Sequence, residues 1–350
     1  MADLKKFIFA YIKTMRLYYS FVTGIAGWIG VSFYLWLKEV RYATPITDDD
    51  YMRGVIVLII LFSSWGVNQI FNDWLGIPED RINDPHRPMV SGELNVKWAL
   101  ITSCALMGVA MVVSYFLNPW SLIPIIAGFL LNFLYNYSKA WGLWANVIFG
   151  IMIASCTVYG FLAIGPILNE PFFTSNRLSA FFLVAYMNGM MTYFTYFKDY
   201  EGDKAAGKNT FVVRYGVDFA KKVGIAASFM PTIIFFALRY ANLFPFEINQ
   251  FFVYCGIMTI FLQFWTAVIF YRNPVGPRSY YNNAKNFRAC ACGQITIIAI
   301  FNGILALYLY TATYIFIGFL FGLQRGQRTT QRTERRGPLE PLEVAEIAED

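Results

Sequence analysis

The sequence predicts an all-α protein that crosses a membrane several times. Of its 350 residues, 57% are hydrophobic and only 14% are charged, whereas about 25% are charged in a typical soluble domain. The mean hydropathy is +0.47. Apolar runs of roughly 20 residues, the length that crosses a bilayer, recur along the chain. These observations indicate a multi-pass integral membrane protein surrounded by membrane lipids, and no nucleic-acid partner is expected.

Nine apolar runs are predicted to be membrane-spanning helices. The last run is longer than one span requires, so it forms either one tilted helix or two short helices broken near Gly303. The predicted spans are 17–37, 54–71, 99–117, 120–137, 144–168, 178–197, 223–240, 250–270 and 293–322.

These runs divide the chain into three parts. Residues 1–16 carry basic side chains around apolar ones, which is typical of a short amphipathic helix at the membrane surface. Residues 17–323 form the transmembrane domain. Residues 324–350 lack the apolar content to fold alone and are predicted to be a disordered, charged tail.

The distribution of Lys and Arg sets the orientation. With the N-terminus inside, the inner segments hold 18 of these residues and the outer loops hold five. Because basic residues concentrate on the cytosolic side, this orientation is favoured. Nine spans would place the five arginines of the tail outside, so either the last run is a hairpin or the tail escapes the rule.

Two clusters of acidic residues directly follow the second and the sixth apolar span, both on the inner side. The first is NDWLGIPEDRIND (72–84) and the second is KDYEGDKAAGK (198–208). On a helix, Asp73 and Asp80 share a face, as do Asp199 and Asp203. Like charges at such spacings repel each other, and Mg²⁺ is the natural compensating ion because it binds carboxylate and phosphate oxygens.

Basic residues are interleaved with both clusters. Arg81 and Arg87 lie in or just after the first, and Lys198, Lys204 and Lys208 lie in the second. Carboxylates for a metal together with cations for phosphate oxygens make a diphosphate site. For either cluster alone, solvated loop carboxylates are an equally good explanation. Their pairing on one membrane face favours the site.

Three motifs resemble those of the UbiA superfamily of intramembrane prenyltransferases, and they occur along the chain in the order typical of that family. NDWLGIPEDRINDPHRPMVSG (72–92) is similar to its first aspartate-rich motif, and KDYEGDKAAGKNTF (198–211) is similar to its second. YNYSKAWGLWAN (135–146) is similar to its Tyr…Lys…Asn pattern. The resemblance covers roughly residues 10–320.

The resemblance implies a bundle of nine helices around a central cavity that opens laterally to lipid. It implies Mg²⁺ as cofactor and transfer of an isoprenyl group from a prenyl diphosphate to a lipophilic acceptor, such as an aromatic ring, a quinone precursor or a lipid. The alternative is a terpene cyclase on the same fold, which traps the carbocation with the substrate's own double bonds.

Site residues follow from the resemblance and from residue chemistry together. The catalytic candidates are Asp80, Asp199 and Asp203. The other metal-binding candidates are Asn72 and Asp73, with Glu79 and Asp84 as substitutes. The diphosphate-binding candidates are Arg16, Arg87, Lys139, Asn146, Lys198 and Lys204. The cavity candidates are Asn68, Tyr135, Asn188 and Tyr196.

The first motif departs from the family pattern at one position. The middle aspartate of the family falls on Gly76, so this chain lacks one expected carboxylate. Glu79 or Asp84 replaces it, or one metal ligand is lost.

Other interpretations remain open at this stage. Asn188 either lines the cavity or makes an interhelical hydrogen bond, and His86 is either a surface or capping residue or a general base. A transporter would place ionisable groups inside the spans, whereas here they lie at span ends. A non-catalytic relative, with Gly76 marking a decayed site, is a further rival.

Overall fold

The protein is a bundle of helices. The computed structural model describes residues 2–165, 171 and 173–336, and every regular element in these ranges is helical. The helices are α1 Ala2–Met15, α2 Ser20–Trp36, α3 Asp48–Leu75, α4 Ile77–Asn83, α5 Pro88–Ser91, α6 Val96–Leu117, α7 Leu122–Ser138, α8 Trp144–Ile164, α9 Ser175–Lys198, α10 Tyr200–Ala205, α11 Phe211–Tyr215, α12 Val217–Tyr240, α13 Gln250–Arg272, α14 Pro277–Phe301 and α15 Gly303–Arg336.

Eight helical segments in the described ranges are long and apolar enough to cross a membrane. The sixth predicted span, 178–197, lies within the helix α9, which is not among these eight. The segments are Leu17–Arg41, Asp48–Leu75, Val96–Leu117, Pro119–Trp141, Trp144–Ile164, Val217–Tyr240, Gln250–Arg272 and Gly303–Gln324.

The ninth predicted span is two helices. The chain breaks at Asn302, whose side-chain oxygen accepts a hydrogen bond from the backbone N–H of Leu305 at 3.0 Å. The helix before the break, α14, extends back to Pro277, and α15 continues to Arg336. Of the two alternatives left open for the last run, two helices that form a hairpin is the one observed.

The hairpin brings α15 back to the face where the chain begins. The end of α14 lies near the end of α2, where the rings of Phe33 and Phe301 stack 5.0 Å apart. Far along α15, Phe321 lies 4.4 Å from the ring of Tyr18, just before α2 starts. The segment 324–336, the described part of the predicted tail, continues the helix α15. Residues 337–350 lie outside the described ranges.

At the centre of the bundle, α8 is buried along nearly its whole length. It approaches α2 so closely that a Cβ atom built on Gly160 would lie 2.1 Å from the carbonyl oxygen of Gly27. A Cβ on Gly30 would likewise lie 2.0 Å from the carbonyl oxygen of Thr157. Thr157 donates its hydroxyl hydrogen bond to Ala26 O across the same seam, at 2.7 Å. Small residues allow this backbone approach, as is usual between membrane helices.

Candidate active site

Both acidic clusters lie at corners between a long helix and a short one. The helix α3 ends before Gly76, and Pro78 in the first turn of α4 restarts the chain in a new direction. In the same way α9 ends at Lys198, and α10 starts at Tyr200. The two corners meet, since Lys208 Nζ after α10 lies 2.8 Å from Glu79 Oε1 on α4.

Between the corners lies a small polar cavity of about 100 Å³, which we call the acidic cleft. It brings together five carboxylates and four cations that lie far apart in the sequence. Its charged lining residues are Asp73, Glu79, Asp80, Asp199 and Asp203 with Arg16, Arg87, Lys139 and Lys198.

Asp73 is almost fully buried and is already surrounded by donors. Arg16 donates to both carboxylate oxygens, at 2.7 and 2.9 Å. Gln69 donates to Oδ1 at 2.6 Å, and Arg87 lies 3.4 Å from the same oxygen. In this arrangement Asp73 holds two cations in the cleft. Arg16 reaches it from a left-handed backbone conformation (φ 49°) between α1 and α2, which is uncommon for a residue with a side chain.

Asp80 and Arg87 form the second ion pair of the first motif. Burial raises the pKa of Asp80 to about 6, although Arg87 favours its charged form. Asp199 is paired with Lys198 at 2.9 Å. Burial opposes ionisation of Asp199, but Lys198 holds its pKa below the usual value.

Two buried carboxylate oxygens in the cleft have no hydrogen-bond partner among the described residues, Asp203 Oδ2 and Glu79 Oε2. Burial and the charge of Asp199 raise the pKa of Asp203 to about 7. A buried, unpaired carboxylate is costly, and a cation bound beside it removes the cost. Among the described residues, no three acidic, His or Cys side chains form a complete metal site. Mg²⁺ requires less, because it binds through one or two carboxylates plus water and substrate phosphates. The cleft therefore fits Mg²⁺ together with a diphosphate.

The helix α3 ends at Gly76, and this position supplies no carboxylate. A Cβ at this position would lie 3.0 Å from Asn72 O and 3.5 Å from Asp80 Oδ2. Of the two proposed substitutes, Glu79 lines the cleft. Asp84 is directed to Arg87 Nε at 3.5 Å and does not line it.

Several other predicted residues also lie outside the lining of the acidic cleft. Lys204 is exposed and lies over the ring of Tyr200. Asn146 donates to Gly189 O at 3.2 Å, which joins α8 to α9. Asn188 contacts Cys290 Sγ at 3.5 Å, so its interhelical alternative is the one observed. Tyr196 donates to the hydroxyl of Tyr135 at 3.5 Å, and only Tyr135 of this pair lines the cleft.

Sequence reasoning missed two amides that position the first motif. The side chain of Gln69 connects Trp65 to Asp73. Its Oε1 accepts a hydrogen bond from the indole N–H of Trp65 at 3.0 Å, and its Nε2 donates one to Asp73 Oδ1. Asn136 donates to Asn72 Oδ1 at 2.7 Å. Gln69 lies four residues before Asp73 on the same helical face, and this spacing was the available signal.

Aromatic rings form the wall of the cleft that faces the bundle interior. Tyr19 and Trp65 stack with centroids 4.6 Å apart, Phe149 lies 5.7 Å from Trp65, and Tyr135 lies 5.1 Å from Phe149. All four rings line the cleft. Other aromatic residues near the end of α9, such as Phe194 and Phe197, pack in the core.

A second cavity of about 470 Å³ adjoins the cleft and shares Trp65 and Asn72 with it. We call it the apolar groove. It lies among α3, α6, α7 and α8, and its walls are mostly aliphatic. Asn68, a predicted cavity residue, lines this groove and not the cleft. A polar, charged cleft therefore lies beside a space that suits a hydrocarbon chain.

Sequence comparison finds proteins that are related to this chain. The chain is 28% identical over 225 residues to digeranylgeranylglyceryl phosphate synthase of Thermococcus sibiricus, covering 64% of this chain and 74% of that protein. It is 25% identical over 258 residues to the 33 kDa chain of bacteriochlorophyll synthase of Rhodobacter capsulatus, covering 71% and 82%.

Solved structures share the fold. A UbiA homologue from Aeropyrum pernix superposes with a TM-score of 0.60 at 15% identity, covering 85% of this chain and 98% of that one. A homologue from Archaeoglobus fulgidus, bound to DMAPP and Mg²⁺, superposes with a TM-score of 0.54 at 19% identity, covering 82% and 98%.

The model of the UbiA prenyltransferase family matches residues 32–289, which include both acidic clusters. That match, the relatives and the shared fold agree with the three sequence motifs, and they favour prenyl transfer over terpene cyclisation. The chain belongs to the UbiA prenyltransferase family.

Proposed function

We propose that this protein catalyses the Mg²⁺-dependent transfer of an isoprenyl group from a prenyl diphosphate to a lipophilic acceptor within the membrane. One observation carries the proposal: carboxylates and cations of both motifs line a single cleft that adjoins an apolar groove. The homologue from Archaeoglobus fulgidus bound to DMAPP and Mg²⁺ supports the same ligands for this fold. The excess of basic residues on the inner side supports a cytosolic position for the cleft.

The cations of the cleft bind and orient the diphosphate. As the allylic C–O bond breaks, negative charge develops on the leaving group, and Arg87, Lys139 and Lys198 lie in the cleft to stabilise it. When bound, Mg²⁺ supplies Lewis-acid stabilisation of the same charge. Asp80 and Asp203 are the residues that would hold it, since Asp203 keeps a free oxygen and Asp80 lies across the cleft.

The aromatic wall stabilises the other product of ionisation, which is the allylic carbocation. The faces of Tyr19, Trp65 and Phe149 lie beside the cleft and can stabilise a cation, by about 2 kcal/mol when it is desolvated. The same apolar wall excludes water, which would otherwise capture the carbocation.

The test is a product profile of the purified, membrane-reconstituted protein. We expect prenyl-diphosphate turnover that needs Mg²⁺, stops on adding EDTA, and yields a prenylated lipid only when lipid extract is present. Asp203→Asn should lower turnover by at least about 100-fold, while Asp218→Asn, on the exposed start of α12, serves as the matched control. No turnover with any divalent metal would overturn the proposal, and hydrocarbon release without acceptor would point to a cyclase.

A further inference from the structure

Another cavity, of about 200 Å³, lies on the side of the bundle formed by α9, α12, α13 and α14. We call it the α13 pocket. Among the described residues, its lining shares no member with the lining of the acidic cleft or of the apolar groove. Its walls are mostly apolar, and Phe236, Val253 and Ile257 form a lip that is exposed on the outside of the bundle. A membrane lipid can therefore enter this pocket from the side.

The pocket contains one polar side chain that the protein leaves without a partner. Gln263 of α13 lines the pocket and is only 3% exposed. Neither its amide nitrogen Nε2 nor its amide oxygen Oε1 has a hydrogen-bond partner among the described residues. The hydroxyl groups of Thr259 and Thr296, which also line the pocket, bond to each other at 3.0 Å. A buried amide without partners is costly, so Gln263 is the feature of this pocket that packing does not explain.

The amide of Gln263 lies inside the bundle. A Cβ atom built on Gly293 of α14 would lie 3.2 Å from Gln263 Nε2 and 3.3 Å from Sδ of Met187 on α9. Glycine at position 293 thus leaves the space in which the amide rests against α14. A partner for the amide must come into the pocket, because the amide is held away from the lipid surface.

The depth of Gln263 in the membrane restricts the chemistry of that partner. Along α13, Gln263 lies about 14 Å from Arg272 at one end and about 20 Å from Gln250 at the other, at the helical rise. The amide is therefore near the middle of the span, far from the phospholipid headgroups. An ionised carboxylate or an ammonium group is costly at this depth, so the partner is an uncharged group.

Of the uncharged groups that lipids carry, a hydroxyl group satisfies the amide best. A hydrocarbon chain offers no donor and no acceptor. An ester or ketone carbonyl accepts from Nε2 but leaves Oε1 unpaired, whereas a hydroxyl group accepts from Nε2 and donates to Oε1. A lone water molecule is a poorer occupant, since buried water typically makes about three hydrogen bonds and the walls around the amide are mostly apolar.

We infer that the α13 pocket binds a lipid alcohol, whose hydroxyl group accepts a hydrogen bond from Gln263 Nε2 and donates one to Gln263 Oε1. The hydrocarbon part of the alcohol lies along α13 toward Phe252, about 16 Å away at the helical rise, and leaves the bundle over the exposed lip. This lipid site is separate from the acidic cleft and from the apolar groove. The inference does not depend on the proposed function.

The first experiment uses the purified wild-type protein in lipid nanodiscs and a long-chain alcohol with a photoreactive diazirine in its chain. Mass spectrometry of the crosslinked peptides should place the label on α12 or α13 at the pocket. An unlabelled alkanol should compete at least about tenfold better than its methyl ether, which cannot donate to Oε1. Equal competition by the two compounds, or crosslinks spread evenly over all lipid-facing helices, overturns the inference.

The second experiment uses Gln263→Leu, which keeps a side chain of similar size and removes both polar atoms. Labelling of the pocket should fall at least about tenfold, and the alkanol should no longer raise the unfolding temperature as it does in the wild type. Gln250→Leu, at the exposed start of the same helix, is the matched control and should behave as the wild type.

The stability of the delipidated protein separates lost binding from lost folding. Because Gln263→Leu removes an unpaired buried amide, the variant without added alcohol should unfold at the same temperature as the wild type or at a higher one. A lower unfolding temperature would show that the amide already has a partner within the protein, and would overturn the inference. Undiminished labelling of Gln263→Leu would overturn it as well.

Discussion

Asp73 shows how one residue of a recognised motif can differ in role from its neighbours. Its carboxylate is 1% exposed and accepts hydrogen bonds from Arg16 and Gln69, so its oxygens are occupied before any ligand arrives. Asp203 lies in the same cleft but keeps an unpaired oxygen. The structure therefore separates a carboxylate that is paired with cations from one that keeps an unpaired oxygen, which under the proposed function would bind the metal.

This separation predicts the behaviour of an Arg16 variant. Arg16→Leu leaves Asp73 buried without its main partner, so stability should fall by about 3–5 kcal/mol. The double variant Arg16→Leu/Asp73→Leu should regain most of the lost thermal stability but keep a lowered turnover, because the cleft then holds three cations instead of four. Thermal unfolding in detergent measures the first effect. A double variant as unstable as the single one would contradict the buried-charge explanation.

Gly76 is the position where the chain departs from its family's pattern. In Gly76→Asp the new carboxylate would lie beside Asp80, since a Cβ there is 3.5 Å from Asp80 Oδ2. Like charges this close repel until a cation binds between them. We expect Mg²⁺ plus diphosphate to raise the unfolding temperature more in this variant than in the wild type, with Gly76→Asn as control. Equal increases in the unfolding temperature of all three proteins would contradict this explanation.

At the scale of elements, the glycines between α2 and α8 set the shape of the core. In Gly160→Ala, the new methyl group would meet backbone at 2.1 Å, and backbone cannot yield as a flexible side chain can. Stability should therefore fall by about 2 kcal/mol or more. Gly108→Ala on α6 is the matched control, because a Cβ there meets nothing within 4 Å. Equal melting temperatures for both variants would show that the seam tolerates expansion.

The helices also show which features could be predicted from the sequence and which could not. Long apolar runs located the spans well, and the acidic clusters located the corners of α3 and α9. The break at Asn302 was only one of two alternatives, because a single polar residue in an apolar run does not by itself stop a helix. Gln69 and Asn136 were missed because a buried amide gains its role from its neighbours in the folded protein, and only the fold specifies these.

At the scale of the whole molecule, the α14–α15 hairpin predicts that α1 and the described end of α15 lie on one membrane face. The rings of Tyr18 and Phe321 are in contact, and each lies near an end of the transmembrane domain. Reporter domains fused to the N-terminus and the C-terminus should therefore both show cytosolic activity. A C-terminal reporter active only on the other side would contradict the hairpin and restore a single last span.

The seam between α2 and α8 has a consequence for how the molecule moves. Helices in backbone contact cannot separate without losing all their interactions at once, so that side of the apolar groove is rigid. The opposite side is different: in α6 only Ala99, Ser103 and Ser114 are buried. Segments with few buried contacts open at the lowest free energy. Opening of the groove should therefore occur by movement of the α6–α7 hairpin. Its amide hydrogens should exchange faster than those of α8, and their exchange should slow when a lipid occupies the groove.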